Sequence, residues 1–182
     1  EPEDCVMKRL LVVVDYQNDF VDGSLGFSGA ELLDGPIAEK IRQYKESGDD
    51  VVYTMDTHGP AYLEMQEGKK LPVVHCQNGT EGWKLYGETG KLCEGCMTIG
   101  KHAFGSFDLA EWAMMRGYDQ IELCGLVSYI CVIANAVLLK TAQPEAEIVV
   151  DANCTAGPDP KLHEECLDVM ERGLQITVLN RK

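Results

Sequence analysis

The feature that most constrains how this chain can fold is the run RLLVVVD at residues 9–15, because runs of the same kind recur along the sequence. Five aliphatic side chains in a row, closed by a carboxylate, cannot alternate between a core face and water. They describe a strand covered on both faces, as in a parallel sheet. DVVYTMD (50–56), QIELCG (120–125), EIVVD (147–151) and LQITVL (174–179) repeat the pattern, with MTIGK (97–101) a shorter member. Helical periodicity lies between them: over 36–47 with Pro36 early and Gly48 beyond the end, over 107–116 closed by Gly117, over 128–142, and over 160–171 closed by Gly173. The alternation predicts an α/β fold, a three-layer α/β/α arrangement around a mostly parallel, roughly six-stranded sheet with right-handed crossovers.

In such folds the ligand site lies beyond the carboxyl ends of the strands. Asp15, Asp56, Lys101 and the segment after Gly125, which holds Cys131, are thereby expected on one sheet edge. Residues 57–96 are too long for a plain connector and are expected to form a functional loop or lid with short helices. A chain of 182 residues can bury about 70% of its unfolded surface around one core. One domain over 7–182 is therefore expected, with residues 1–6, ahead of Met7, as an N-terminal tail or cloning remnant.

A formal charge of −14 argues against nucleic acid or an anionic membrane surface as a partner. No apolar run approaches the roughly 20 residues of a membrane span, and the N-terminus lacks the order of a signal peptide, so a cytoplasmic location is expected. On that reading the eight cysteines are reduced thiols rather than a disulfide framework.

Cys131 has two local readings. As a small hydrophobe it belongs in the core. Alternatively, Ser128 caps the following helix, and Cys131 at its third position feels free N–H groups and a dipole that favour thiolate. Asp15 and Lys101 could then serve as proton acceptor and charge partner. Asp56, His58, Glu64 and His75 form a mixed N/O set suited to Zn²⁺, Fe²⁺ or Mn²⁺, or else are ordinary loop polar residues. Cys93 and Cys96 form a CxxC with no second pair, which reads as a lid thiol pair rather than a structural zinc site.

Taken together, VVDYQNDF (13–20), DTH (56–58), HCQNGTEG (75–82), the Lys101 segment and CGLVSYICV (124–132) occur in the order of the isochorismatase-like cysteine hydrolase superfamily. Within that superfamily the chain most resembles the nicotinamidases. The resemblance implies a catalytic triad of Asp15, Lys101 and Cys131, and metal ligands at Asp56, His58, His75 and Glu64. It also implies a cis peptide at Leu126–Val127, oxyanion-holding N–H groups of Val127 and Cys131, and Phe20 and Leu25 in the substrate pocket. The implied cofactor is a divalent metal, Zn²⁺ with Fe²⁺ or Mn²⁺ as alternatives, and the implied assembly a homo-oligomer, dimer or tetramer.

The implied reaction is release of ammonia from a small primary carboxamide, nicotinamide to nicotinate, through a thioester, within NAD metabolism. Two departures stand out: Ser128-Tyr129 where relatives carry Thr-Asp, and Leu71 or Pro72 where nicotinamidases commonly carry a pocket tryptophan. They keep two alternatives in play: the same chemistry on another amide or N-carbamoyl compound, and a non-catalytic metal- or ligand-binding domain. Isochorismatases proper lack the cysteine, so enol-ether hydrolysis is disfavoured.

Overall fold

Both faces of the first apolar run are covered, as its lack of alternation requires. In β1 (Arg9–Val14) the side chains of Leu10, Val12 and Val14 enter one core cluster, and those of Leu11 and Val13 enter a second on the opposite face. All five are fully buried. At about 1.5–3 kcal/mol for each large aliphatic side chain taken out of water, this strand anchors both halves of the core. The computed structural model describes residues 6–182, so nearly all of the tail expected at 1–6, Cys5 included, lies outside the described residues.

The remaining strands are β2 (Asp50–Asp56), β3 (Met97–Lys101), β4 (Gln120–Leu126), β5 (Glu147–Ala156) and β6 (Thr177–Leu179). They form one six-stranded sheet in the order β3-β2-β1-β4-β5-β6, every pair parallel. The helices are α1 (Asn18–Val21), α2 (Asp34–Glu46), α3 (Gln66–Lys70), α4 (Gly87–Leu92), α5 (Phe107–Arg116), α6 (Ile133–Ala142) and α7 (Pro160–Asp168). Side chains of α1 and α2, with Cys93 after α4, cover one face of the sheet, and those of α5, α6 and α7 cover the other. The three-layer α/β/α fold is as the apolar runs predict. No helix among the described residues is long and apolar enough to cross a membrane.

Several boundaries differ from the sequence expectation, β6 among them, which pairs with β5 only from Thr177 and not from Leu174. β5 continues to Ala156, five residues past Asp151, because its pairing with β4 shifts register between Leu123 and Gly125 and then resumes at Thr155. The polar NCT stretch hides that continuation. The apolar segment 128–142 is not one helix: Ser128–Val132 form a wide π-helical turn ahead of α6. A second wide turn, Val169–Gly173, follows α7.

The chain winds outward in both directions from the β1/β4 pair, and the loops diverge there to leave a crevice at the carboxyl ends. Gly125 makes the approach possible. Its φ is +107°, and a Cβ there would stand 2.0 Å from the Val14 carbonyl oxygen, so any side chain would push β4 away from the end of β1. Residues 57–96 fold over this edge with four short helical turns, Tyr62–Glu64, α3, Glu81–Trp83 and α4.

Candidate active site

Asp15 follows directly on β1, Lys101 closes β3, and Cys131 sits in the wide turn after β4. Their side chains converge although they arise from three strands. Lys101 Nζ lies 2.6 Å from Asp15 Oδ2, and donates to Cys131 Sγ at 3.3 Å and to the Ala103 carbonyl at 2.9 Å. The ammonium is thus held among a carboxylate, a thiol and a carbonyl. Asp15 has φ +46°, a left-handed conformation that few residues other than glycine, asparagine and aspartate adopt, and the Thr54 hydroxyl donates to its Oδ1 at 2.6 Å.

The charges follow from this geometry. Burial alone would discharge Lys101, but Asp15, Cys131 and Asp56 outweigh it and hold the ammonium protonated well above its usual range. Burial raises the Asp15 carboxyl above its ordinary value against the opposing pull of Lys101. Burial, then Asp15, push the Cys131 thiol well up, with Lys101 opposing. Cys131 therefore rests as a thiol beside a base of elevated affinity for protons. This corrects the expectation of a dipole-stabilised thiolate. Ser128 caps nothing: its Oγ bonds His163 Nδ1 at 2.7 Å, and the turn it opens is π-helical.

Beside the triad stands a second cluster. His58 Nε2 lies 2.8 Å from Asp56 Oδ2 and His75 Nε2 lies 3.4 Å from the same oxygen, while Asp56 Oδ1 is 3.5 Å from Lys101 Nζ. Donor atoms of Asp56, His58 and His75 all fall within 4.8 Å of one another, and all three residues are buried. The Val73 carbonyl, 2.8 Å from His75 Nδ1, accepts that proton and leaves Nε2 free as a ligand atom. Tyr62 packs against both imidazoles, with ring centroids 4.7 Å from His58 and 5.0 Å from His75.

Glu64 does not join them. It closes the turn Tyr62–Glu64 and is exposed. The carboxylate that reaches the cluster is Glu67, whose Oε2 lies 3.3 Å from His58 Nε2 and is buried with no hydrogen-bond partner. The two residues belong to separate turns, Tyr62–Glu64 and α3, with Met65 between them in extended conformation (φ −84°, ψ 162°), so they point differently. The orientation of α3 is set by Gly68, where a Cβ would stand 1.9 Å from the Tyr62 carbonyl oxygen. An orphaned buried carboxylate oxygen beside His58, in one cavity with Asp56 and His75, fits a divalent cation with a mixed N/O shell. Glu67→Gln is expected to weaken metal affinity by about 10–100-fold, measured by competition with a chromogenic chelator. Glu64→Gln should leave it unchanged, and the reverse ranking would restore Glu64 as the ligand.

The cluster also carries a pH dependence. Burial disfavours a charged His75, yet hydrogen bonds to Asp56 and Val73 outweigh it and raise its pKa above the ordinary 6.5. In metal-free protein such a group stabilises the fold below its unfolded pKa and loses that contribution as pH rises through the elevated folded value. A metal takes only the neutral ring. The gap in Tm between metal-loaded and chelator-stripped protein is therefore expected to widen from about pH 5.5 to 8. Thermal unfolding at fixed metal concentration checks this, and a gap that narrows would remove His75 from the ligand set.

Cys131, Asp56, Glu67 and His75 share one cavity of about 180 Å³. Phe20 and Leu25 line it, and so do Leu71, Phe104, Val127, Ile130 and Pro158. Phe104 supplies an aromatic wall from the β3–α5 connection, a role that no spacing in the sequence announced. Gln17, within VVDYQNDF, carries no signal of a role in the sequence. Fully buried, it donates to the Asp56 and Trp83 carbonyls and accepts from Asp56 N–H, at 2.8–2.9 Å, and so ties the lid to β2. Asp19 accepts from Cys76 N–H at 2.7 Å and pins the other side of that loop. The Leu126–Val127 peptide is cis.

Comparison with known proteins extends these findings. The isochorismatase domain model matches residues 9–180. An uncharacterized isochorismatase family protein, PncA, of Bacillus subtilis is 31% identical over 150 residues, 72% of this chain and 78% of the relative. Among solved structures, nicotinamidase/pyrazinamidase PncA from Bacillus subtilis superposes with a TM-score of 0.87 at 28% identity, covering 96% of this chain and 100% of that one. Pyrazinamidase of Pyrococcus horikoshii in complex with zinc gives 0.84 at 26% identity, over 96% and 99% of the two chains. N-carbamoylsarcosine amidase from Thermoplasma acidophilum gives 0.81 at 29%, over 96% of each.

Proposed function

The chain belongs to the isochorismatase family, and from that premise we propose that it is a cysteine-dependent amidohydrolase that converts nicotinamide to nicotinate and ammonia. It is a hydrolase of non-peptide C–N bonds. The observation that carries the finer reading is the cavity. It holds about 180 Å³ between the Cys131 thiol and the metal-ligand set, and it is walled mainly by apolar and aromatic side chains. A dry cavity of about 150 Å³ admits a benzene ring, so a single ring bearing a carboxamide matches the space and a peptide segment does not.

In the proposed reaction Asp15 takes the Cys131 proton as the sulfur attacks the amide carbon, and the carbonyl electron pair moves onto oxygen. The N–H groups of Val127 and Cys131 are proposed to hold that oxyanion. Collapse breaks the C–N bond, Asp15 hands its proton to the departing nitrogen, and ammonia leaves a thioester. Water then attacks the thioester, giving its proton to Asp15 and the carboxylate to solution, and Cys131 recovers the proton. Lys101 remains charged throughout and balances both anionic steps. Asp56, His58, His75 and Glu67 would hold a divalent ion, which supplies Lewis acidity toward a ring nitrogen or a water when bound. Zinc is the proposed ion, supported by the donor set and by the zinc complex of the Pyrococcus enzyme.

A second reading, hydrolysis of an N-carbamoyl compound, draws on the likeness to N-carbamoylsarcosine amidase. It is disfavoured because no arginine or lysine among the described residues lines the cavity to receive a substrate carboxylate. Ammonia release from nicotinamide, pyrazinamide and N-carbamoylsarcosine, measured on one metal-loaded preparation, tests the choice. Nicotinamide should lead in kcat/KM, and a lead for N-carbamoylsarcosine would overturn it. We further propose a cytoplasmic homo-oligomer, supported by the absence of any disulfide among the described cysteines and by the exposed Phe107, Met115 and Val137 of α5 and α6.

A further inference from the structure

We propose that Tyr129, which does not line the cavity, sets the size of ring the enzyme accepts by clamping the Gly157–Asp159 loop whose Pro158 forms one cavity wall. The inference rests on the reading of the cavity as a ring-carboxamide pocket. Three contacts carry it. A Cβ on Gly157 would stand 2.3 Å from Tyr129 Cε1 and 3.0 Å from Val127 Cγ1, so the loop backbone lies directly against the tyrosine ring. Asp159 N–H donates to Tyr129 Oη at 3.2 Å, so the loop is gripped two residues later as well. Pro158, between the two grips, lines the cavity from the β5–α7 connection, whereas Phe20 and Leu25 line it from α1 and the segment after it.

The far side of the loop cannot move independently. Asp159 caps α7, accepting from Lys161 N–H at 3.0 Å and Leu162 N–H at 3.1 Å, and His163 of the same helix bonds Ser128, the neighbour of Tyr129. The wall is thus held between a capped helix and an aromatic plate. Proline adds a fixed φ of its own, so little conformational freedom is left in the wall. Releasing the plate frees Pro158 to swing outward, which enlarges the pocket without touching Asp15, Lys101 or Cys131. Tyr129 is accordingly a positioning residue, acting on which ring binds rather than on bond breaking.

The test measures binding in metal-loaded Cys131→Ala protein by isothermal titration with nicotinamide and with the bulkier quinoline-3-carboxamide. Adding Tyr129→Ala is expected to weaken nicotinamide about tenfold while leaving quinoline-3-carboxamide unchanged or tighter. Tyr129→Phe keeps the plate and should restore the parent preference to within about threefold. A merely structural tyrosine would lower Tm or the binding-competent fraction and leave the ratio of the two dissociation constants unmoved. A ratio within twofold of the parent overturns the proposal. Should Tyr129→Ala fail to fold, Tyr129→Leu, which keeps some apolar bulk but neither plate nor hydroxyl, is read by the same criterion. A parent that binds nicotinamide while the native enzyme hydrolyses no amide defeats the proposed function and still judges the clamp. A parent that binds neither probe defeats both.

Discussion

Replacing Cys131 by alanine is expected to reduce ammonia release from nicotinamide by at least about 10⁴-fold, because no second thiol among the described residues lines the cavity to form the thioester. Lys101 and Asp15 would remain paired at 2.6 Å, so the variant should fold. Removing one sulfur from a site that is 5% exposed leaves a small void and one ammonium proton without its acceptor. That is expected to lower stability by about 1–2 kcal/mol, a loss most domains tolerate. Acid-quenched wild-type protein should carry an acyl group on Cys131 by mass spectrometry, and the variant none. Retention of more than about 1% of wild-type turnover, against that expected loss, would remove the thiol from the mechanism.

Lys101→Met is expected to damage both activity and fold. The ammonium lies between Asp15 and Asp56, and is 3% exposed. Without it two buried carboxylates face each other with no intervening cation. Breaking a buried pair in this way costs about 3–5 kcal/mol, or about 6–20 °C in Tm for a domain of this size. Turnover should fall about 10³-fold or more, since nothing then balances the oxyanion. The double variant Asp15→Asn with Lys101→Met separates the two effects. It removes the uncompensated charge and should recover part of the stability, with no recovery of activity. A single variant as stable as wild type would mean that Asp15 and Asp56 are satisfied by other means.

How much of this was readable beforehand depended on whether the signal was local. The strands were legible because five unbroken aliphatic residues at 10–14 admit one solution, burial on both faces. Asp15, Lys101 and Cys131 were legible as a group because a parallel sheet sends every strand end to the same edge. Glu67 was not. The choice between Glu64 and Glu67 turns on the direction of a five-residue helix, which is set by backbone contact at Gly68 and not by any periodicity within α3. Phe104, Pro158 and Gln17 carry no local signal either: Gln17 bonds Asp56 and Trp83, 39 and 66 residues further along the chain, and Phe104 and Pro158 meet the cavity only once the fold is formed. Burial and Asp15 raise the Cys131 thiol, an influence that a capping argument, which counts nearby residues only, does not contain.

The sequence by itself determined the layers, the sheet edge at which Asp15, Asp56, Lys101 and Cys131 gather and the residue types found there, since these follow from hydrophobic period and strand polarity. Tertiary structure alone decided which carboxylate approaches the Asp56, His58 and His75 cluster, that burial and Asp15 raise the Cys131 thiol, and which side chains line the cavity beside it. Those outcomes depend on distances of a few ångströms between side chains brought together from separate strands and loops. Desolvation and Coulomb forces act over those distances in space, and the order of residues along the chain does not encode them locally.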